Sequence, residues 1–337
     1  MCRRKLRWAH LDDAPTVITT ETIMNFCRGR SGTTLVSFSF TQINGVSTMS
    51  SLWQEIANHI ATVRGREFII ENQRSVSGGC INDGYCISGS GQKYFVKLNR
   101  PNQSEMFAAE ALGLQQMAAT KSILVPEPIC WGETQSNSYI VLNWLELGSG
   151  GAGSWQEMGR QLAAMHKASG SERFGWDRDN TIGSTPQINT WCDNWAEFWA
   201  ETRIGYQLRL ANRKGGGFPD AKKVASRIKQ ILQDVQPQPS LVHGDLWSGN
   251  AAIASDGSPV IFDPAAYYGD REVDIAMTEL FGGFPPSFYK GYNEALPLDS
   301  GYGDRKDLYN LYHVLNHFNL FGGGYGSQAK RILQRFL

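Results

Sequence analysis

The sequence predicts an α+β fold in two lobes. A small strand-rich lobe spans residues 49–144 and a larger, mainly helical lobe spans 145–337. Three observations predict this. Between residues 67 and 144, short runs of alternating apolar and polar residues are separated by turn residues, with one helical stretch among them. After about residue 150 the apolar spacing becomes mostly helical. A chain of 337 residues is also long enough to bury two cores.

Thirty-two Lys and Arg balance 32 Asp and Glu, giving a net charge of zero. Nothing in that balance points to nucleic acid or an anionic membrane as partner. No apolar run approaches the roughly 20 residues that span a bilayer. The six cysteines are scattered without a C-x-x-C pair, so neither a zinc site nor a disulfide framework is expected. A reducing cytosol is the simplest compartment. Residues 1–48 stand apart: MCRRKLR is basic, and 31–48 is rich in Ser and Thr without helical period. The segment lacks a secretory h-region. An organellar transit peptide is weakened by Asp12, Asp13 and Glu21. The expectation is an extension outside the fold, with Met49 as an alternative start before a helix capped by Ser50 or Ser51.

The first lobe should begin with a strand at Glu67–Ile70. It continues through a turn carrying Gly78, Gly79 and Cys80, a strand at Tyr85–Ser88, and a strand at Lys93–Leu98. Adjacent glycines let a backbone approach a phosphate and turn N–H groups toward it, although a plain turn has the same composition. Lys97 ends an alternating strand, with Tyr94 and Val96 on one face and Phe95 and Lys97 on the other. A helix over about 103–120 follows and carries Glu110 among apolar residues, where an unpaired carboxylate is costly. Strand lysine followed by helix glutamate is the order of the pair that holds nucleotide phosphates in kinases. Two strands, 127–132 and 138–144, lead to a connector containing Asn143 and Leu145, whose backbone groups are candidates to read an adenine edge.

In the second lobe, helices are expected over 155–167, from 191 to 210, over 219–234, and over 308–320 with a glycine stop at 322–324. His166 reads as a packed or capping residue, and the aromatics at 191–199 as core, with the lining of a sugar site as the other reading for some of them. The chemistry lies at 243–263. His243-Gly244-Asp245 with Asn250, then a strand and Asp263, has the spacing of the kinase catalytic loop and its metal-binding acid. In that pattern Asp245 orients the attacking hydroxyl as base, and Asn250 and Asp263 supply hard oxygens to Mg²⁺. An acidic surface hairpin around SDGSP is the competing explanation. The charged run Asp270–Asp274 either positions a cationic or hydroxylated substrate, with Asp270 as candidate, or forms structural ion pairs.

VSGGCIN at 76–82, the YFVK strand, AAEALGL at 108–114, HGDLWSGN at 243–250, VIFDPAAYYGDREVDIAM at 260–277 and LNHFNLFG at 315–322 together resemble the fructosamine kinase (ketosamine-3-kinase) family. The resemblance covers about residues 50–337. It implies a bilobal protein-kinase-like fold related to aminoglycoside phosphotransferases. It also implies phosphorylation of the 3-hydroxyl of a ketosamine by ATP and Mg²⁺, on a small amine or a glycated protein, with loss of the sugar afterwards. Carried over by motif, Asp245 is the base, Asn250 and Asp263 the metal ligands, Lys97 and Glu110 the phosphate-positioning pair, and Gly78 and Gly79 the phosphate loop. Trp247 would stack on the substrate. Cys80 would be redox-sensitive, so the chain is expected as a monomer or a redox-linked homodimer. Pro264-Ala265 after the metal acid departs from the protein-kinase pattern, so no phosphorylated activation loop is expected. The other readings are a kinase for an aminoglycoside or choline-type hydroxyl, or a silent binding protein of the same fold.

Overall fold

The computed structural model describes residues 51–76, 81–168 and 170–337. The expected extension 1–48 and the turn residues Gly78, Gly79 and Cys80 lie outside them. Helix α1 (Ser51–Arg64) opens the first lobe. Strands β1 (Asn72–Val76), β2 (Asp83–Gly89) and β3 (Gln92–Asn99), helix α2 (Ser104–Ala119), and strands β4 (Pro128–Glu133) and β5 (Ser138–Asn143) follow. The strands form one antiparallel sheet in the order β1-β2-β3-β5-β4.

Strand alternation sorts this sheet's two faces into two cores. Tyr94, Val96 and Leu98 of β3, with Tyr139 and Val141 of β5, pack under Trp53, Ile56 and Ile60 of α1. Ile140 and Leu142 of β5 face the other way, into the core that contains Phe107, Ala111 and Leu114 of α2. Lys97 shares that second face, which brings it toward α2 rather than to a solvated edge. The strand expected at 67–70 is not one: pairing starts only where Glu71 N–H donates to Ser88 O at 2.9 Å. Its alternation is real but comes from packing, with Phe68 and Ile70 buried and Ile69 55% exposed. The Ile69 carbonyl crosses so close over Gly89 that a Cβ there would lie 1.8 Å from its oxygen.

The second lobe begins with β6 (Leu147–Gly148) and α3 (Ala152–Ala168), then the hairpin β7 (Asn180–Ile182) and β8 (Thr185–Gln187). Next come α4 (Trp195–Phe198), a π-helical turn (Trp199–Gly205), α5 (Tyr206–Arg213) and α6 (Ala221–Leu232). Strands β9 (Ser240–Val242), β10 (Ala251–Ala254), β11 (Pro259–Ile261) and β12 (Tyr267–Gly269) precede α7 (Glu272–Leu280), α8 (Pro286–Ala295), α9 (Tyr302–Phe321) and α10 (Gly324–Phe336). The 191–210 helix is interrupted by the π turn, whose extra residue seats the buried Arg203. That guanidinium lies 4.1 Å from the Tyr267 ring centre and donates to Ile188 O and Asn189 Oδ1. Trp195, Phe198 and Trp199 are core, as their spacing suggested. Helices α8 and α10 were not anticipated: Pro286, Gly291 and the polar residues of α8 blur its apolar stripe, and α10 opens on Gly324 and Gly326 directly after the glycines read as a stop. No helix among the described residues is long and apolar enough to cross a membrane.

Candidate active site

The loop from His243 to Asn250 joins β9 to β10, and its shape is set from beneath by one buried acid. Asp274 of α7 accepts from His243 N–H at 2.7 Å and from Gly244 N–H at 2.8 Å, one oxygen each. His166 Nε2 lies 3.1 Å from the same carboxylate, and His166 Nδ1 lies 2.8 Å from the Tyr292 hydroxyl. Burial works to raise the Asp274 carboxyl, but the His166 contact and the loop amides hold it below the ordinary range. His166 is thus a packed residue with a scaffolding task.

Backbone geometry explains the residue between the histidine and the acid. Gly244 has φ +79, and a Cβ there would sit 2.2 Å from Ala265 O, so only glycine fits. The His243 ring spans the loop: Nε2 is 2.9 Å from Phe262 O, and Nδ1 accepts from Asp245 N–H at 3.2 Å. A carbonyl can only accept, so the proton sits on Nε2. Burial pulls the ring's pKa below its usual value and keeps it neutral. Asn250 Nδ2 donates to Asp245 O at 2.8 Å and Oδ2 at 3.2 Å. The Asp245 side chain is 24% exposed. Burial first, and then the nearby Asp263 charge, push its carboxyl up to about 7.

Three chain segments meet at Lys97. Its Nζ donates to Glu110 Oε1 at 2.6 Å and to Asp263 Oδ1 at 2.5 Å. The lysine and glutamate side chains are 6% and 11% exposed, whereas Asp263 is 44% exposed and open to the cleft. Burial opposes the ammonium charge, but Asp263 and then Glu110 hold Lys97 above its ordinary value. Glu110 is raised by burial, with Lys97 working against the rise. Asp263 has φ +59 ahead of Pro264, in a region that few residues other than glycine adopt. Such strain concentrates at functional sites.

The remaining expected residues divide. Asn143 is inward-bound: its N–H donates to Glu127 O at 2.9 Å and its Oδ1 accepts from Glu127 N–H at 2.6 Å, so its amide is not free to read a base. Leu145, two residues on, makes no hydrogen bond among the described residues. Trp247 is half-buried, edge-on to Phe281 at 6.4 Å, and Phe281 continues to His317 at 4.8 Å. Asp270 is not at this site. It follows Gly269, which pairs with Ser240 at the end of the β9–β12 ladder opposite His243. It is buried, with one oxygen taken by Glu272 N–H at 3.0 Å and the other by the Tyr309 hydroxyl at 2.6 Å. Its neighbour Glu272 is held by two 2.9 Å bonds from Arg305. Of the two readings of the charged run, structural pairing describes Asp270 and Glu272, and Asp274 underpins the loop. Asp274 was missed as a site residue because its partner lies 31 residues away. The only sequence signal was an acid of the charged run set between the apolar residues Val273 and Ile275.

These parts define a class before a family. A strand lysine paired with a helix glutamate, a H-x-D-x-x-x-x-N loop and a following acid on a bilobal scaffold make a protein-kinase-like phosphotransferase fold. A solved aminoglycoside phosphotransferase shares that fold with a TM-score of 0.56, at 15% identity, over 83% of this chain and 98% of its own. The family model for fructosamine kinase matches residues 52–337, and the chain belongs to that family. A Synechocystis protein named as a ketoamine kinase is 61% identical over 285 residues, covering 85% of this chain and 97% of the relative. A chloroplastic protein-ribulosamine 3-kinase of Arabidopsis thaliana is 42% identical, covering 86% and 90%. A solved structure from Haemophilus somnus named for fructosamine-3-kinase has a TM-score of 0.80 at 34% identity, covering 85% and 97%.

Proposed function

We propose that the protein transfers the γ-phosphoryl group of ATP to the 3-hydroxyl of a ketosamine. The observation that carries this is the Lys97–Glu110–Asp263 junction, which ties a strand lysine of the first lobe to the acid of the second beside Asp245. Phosphoryl transfer needs positioning and charge stabilisation rather than covalent help from the protein. Lys97, kept cationic by its two acids, would bind phosphate oxygens, and Glu110 would hold it in place. Asp245 Oδ1 would take the proton of the 3-hydroxyl as that oxygen bonds to the γ-phosphorus. The bond to the β–γ bridging oxygen breaks, and ADP leaves. Neutral His243, anchored to Phe262 O, would keep the Asp245 backbone in place while the proton moves. Leu145 N–H and C=O would read the adenine edge. Trp247 would cover the sugar.

The donor set fits Mg²⁺. Asp263 Oδ2 and Asn250 Oδ1 make no hydrogen bond among the described residues, and both are hard oxygens. No group of three or more His, Cys, Asp or Glu among the described residues could hold a metal alone. That suits a cation carried largely by nucleotide phosphates. When bound it would neutralise charge on the β- and γ-phosphates. The phosphorylated ketosamine would then shed its sugar and release the amine, so the reaction is deglycation of a small amine or a protein side chain. A reducing compartment such as the cytosol is consistent with the unpaired Cys86, Cys130 and Cys192. The test is Mg·ATP turnover on ribulosamine, erythrulosamine and fructosamine beside choline and an aminoglycoside. Turnover confined to choline or the aminoglycoside would overturn the reading.

A further inference from the structure

The mechanism above leaves one neighbour of Asp245 unused. His313 lies on α9 and is 3% exposed. Its Nδ1 is buried and has no hydrogen-bond partner among the described residues. That atom stands 3.9 Å from Asp245 Oδ1, beyond hydrogen-bond reach. Burial above all, and then His317, push the His313 imidazole down to about 3, so the ring is neutral and forms no ion pair with Asp245. The ring is held in place by Tyr312, edge-on at 5.1 Å, whose hydroxyl donates to Gln187 Oε1 at 2.6 Å. Buried polar atoms are paired as a rule. An unpaired one, fixed beside a reacting carboxylate, marks where a ligand atom belongs.

The spacing indicates which ligand atom. Asp245 Oδ2 is engaged by Asn250, which leaves Oδ1 for the acceptor hydroxyl. Oxygens on adjacent sugar carbons lie about one hydrogen-bond length apart. Two protein groups 3.9 Å apart can therefore each bind one of a vicinal pair. We propose that His313 Nδ1 binds the oxygen vicinal to the attacking hydroxyl, so that Asp245 and His313 together select which sugar hydroxyl is phosphorylated. The proposal rests on the ketosamine reading, in which the 3-hydroxyl is flanked by the C2 oxygen and the 4-hydroxyl. A neutral imidazole serves either neighbour, donating to a carbonyl or accepting from a hydroxyl.

The test compares the full chain with His313→Leu and His313→Asn at saturating Mg·ATP. The substrates are ribulosamine, its 4-deoxy analogue and an analogue lacking the C2 oxygen. His313→Leu should lower kcat/KM on ribulosamine about tenfold to a hundredfold, with KM for ATP unchanged. His313→Asn, which keeps a polar atom near the place of Nδ1, should recover most of that loss. On the analogue lacking the oxygen that His313 binds, wild type and His313→Leu should converge to within about twofold. Equal kcat/KM for wild type and His313→Leu on ribulosamine overturns the proposal, and so does an equal defect on all three substrates. If the Leu variant fails to fold, His313→Ala takes its place: a wild-type-to-Ala ratio constant across the three substrates overturns the proposal. Failure of the underlying reading looks different, because wild type would then turn over no ketosamine, and both would fall together.

Discussion

The substitution Asp245→Asn should remove activity and stabilise the protein, with a pH dependence that identifies the cause. The Asp245 carboxyl is raised from 3.8 to about 7, with burial the largest cause and Asp263 the next. A raised carboxyl makes the folded state bind more protons than the unfolded state between those values. Its stability contribution is therefore intact below about pH 4 and lost as pH rises to 7. At about 1.36 kcal/mol per pH unit, ionised Asp245 costs the fold up to about 4 kcal/mol at pH 8. Its partial exposure reduces that to about 2–4 kcal/mol. The replacement amide has the same shape, can still accept from Asn250 and is never charged. The nucleotide-free, divalent-free variant should gain about 2–4 kcal/mol over wild type at pH 8 and less than about half of that at pH 5. Urea unfolding of both proteins from pH 5 to 8.5 measures the difference. Turnover should fall by at least about 10²–10⁴-fold with loss of the base. Equal stability at pH 8, or a gain independent of pH, would refute the argument that Asp245 is held in a charge-hostile site.

Asp263→Ala should abolish Mg·ATP turnover while circular dichroism and melting show a folded protein, since Lys97 keeps Glu110 as partner; retained turnover would refute the metal role. Asp274→Asn has one acceptor where two backbone N–H groups need one each. It should lower kcat about tenfold or more and cost about 1–3 kcal/mol of stability, measured by kinetics and urea unfolding. Arg305→Ala strands Glu272, whose side chain is 4% exposed, and should destabilise the fold by about 3–5 kcal/mol, read as a melting shift of roughly 10 °C. The kcat/KM of wild type for the ketosamine should rise with pH through about 7 as Asp245 loses its proton; a flat profile between pH 6 and 8 would count against Asp245 as base.

The amino-acid sequence by itself determined what is local. Histidine, acid and Asn250 sit within one eight-residue loop, so their spacing alone carries the chemistry. The sides of β3 follow from a two-residue period, which set Lys97 opposite Tyr94 and Val96 without reference to anything distant. Glu110 announced a partner because a carboxylate in an apolar helix needs one. Tertiary structure decided what depends on elements far apart in the chain. Glu67–Ile70 had strand alternation but found no ladder partner, because Ile69 crosses Gly89 instead of pairing. Asp270, Glu272 and Asp274 are close in sequence and chemically alike, yet they diverge. Asp270 lies just ahead of a helix that starts at Glu272, and each acid meets a different neighbour: Tyr309, Arg305, and the amides of His243 and Gly244. His313 carried no motif at all. Its place beside Asp245 exists only because α9 packs across the loop, leaving one buried nitrogen without a hydrogen-bond partner among the described residues.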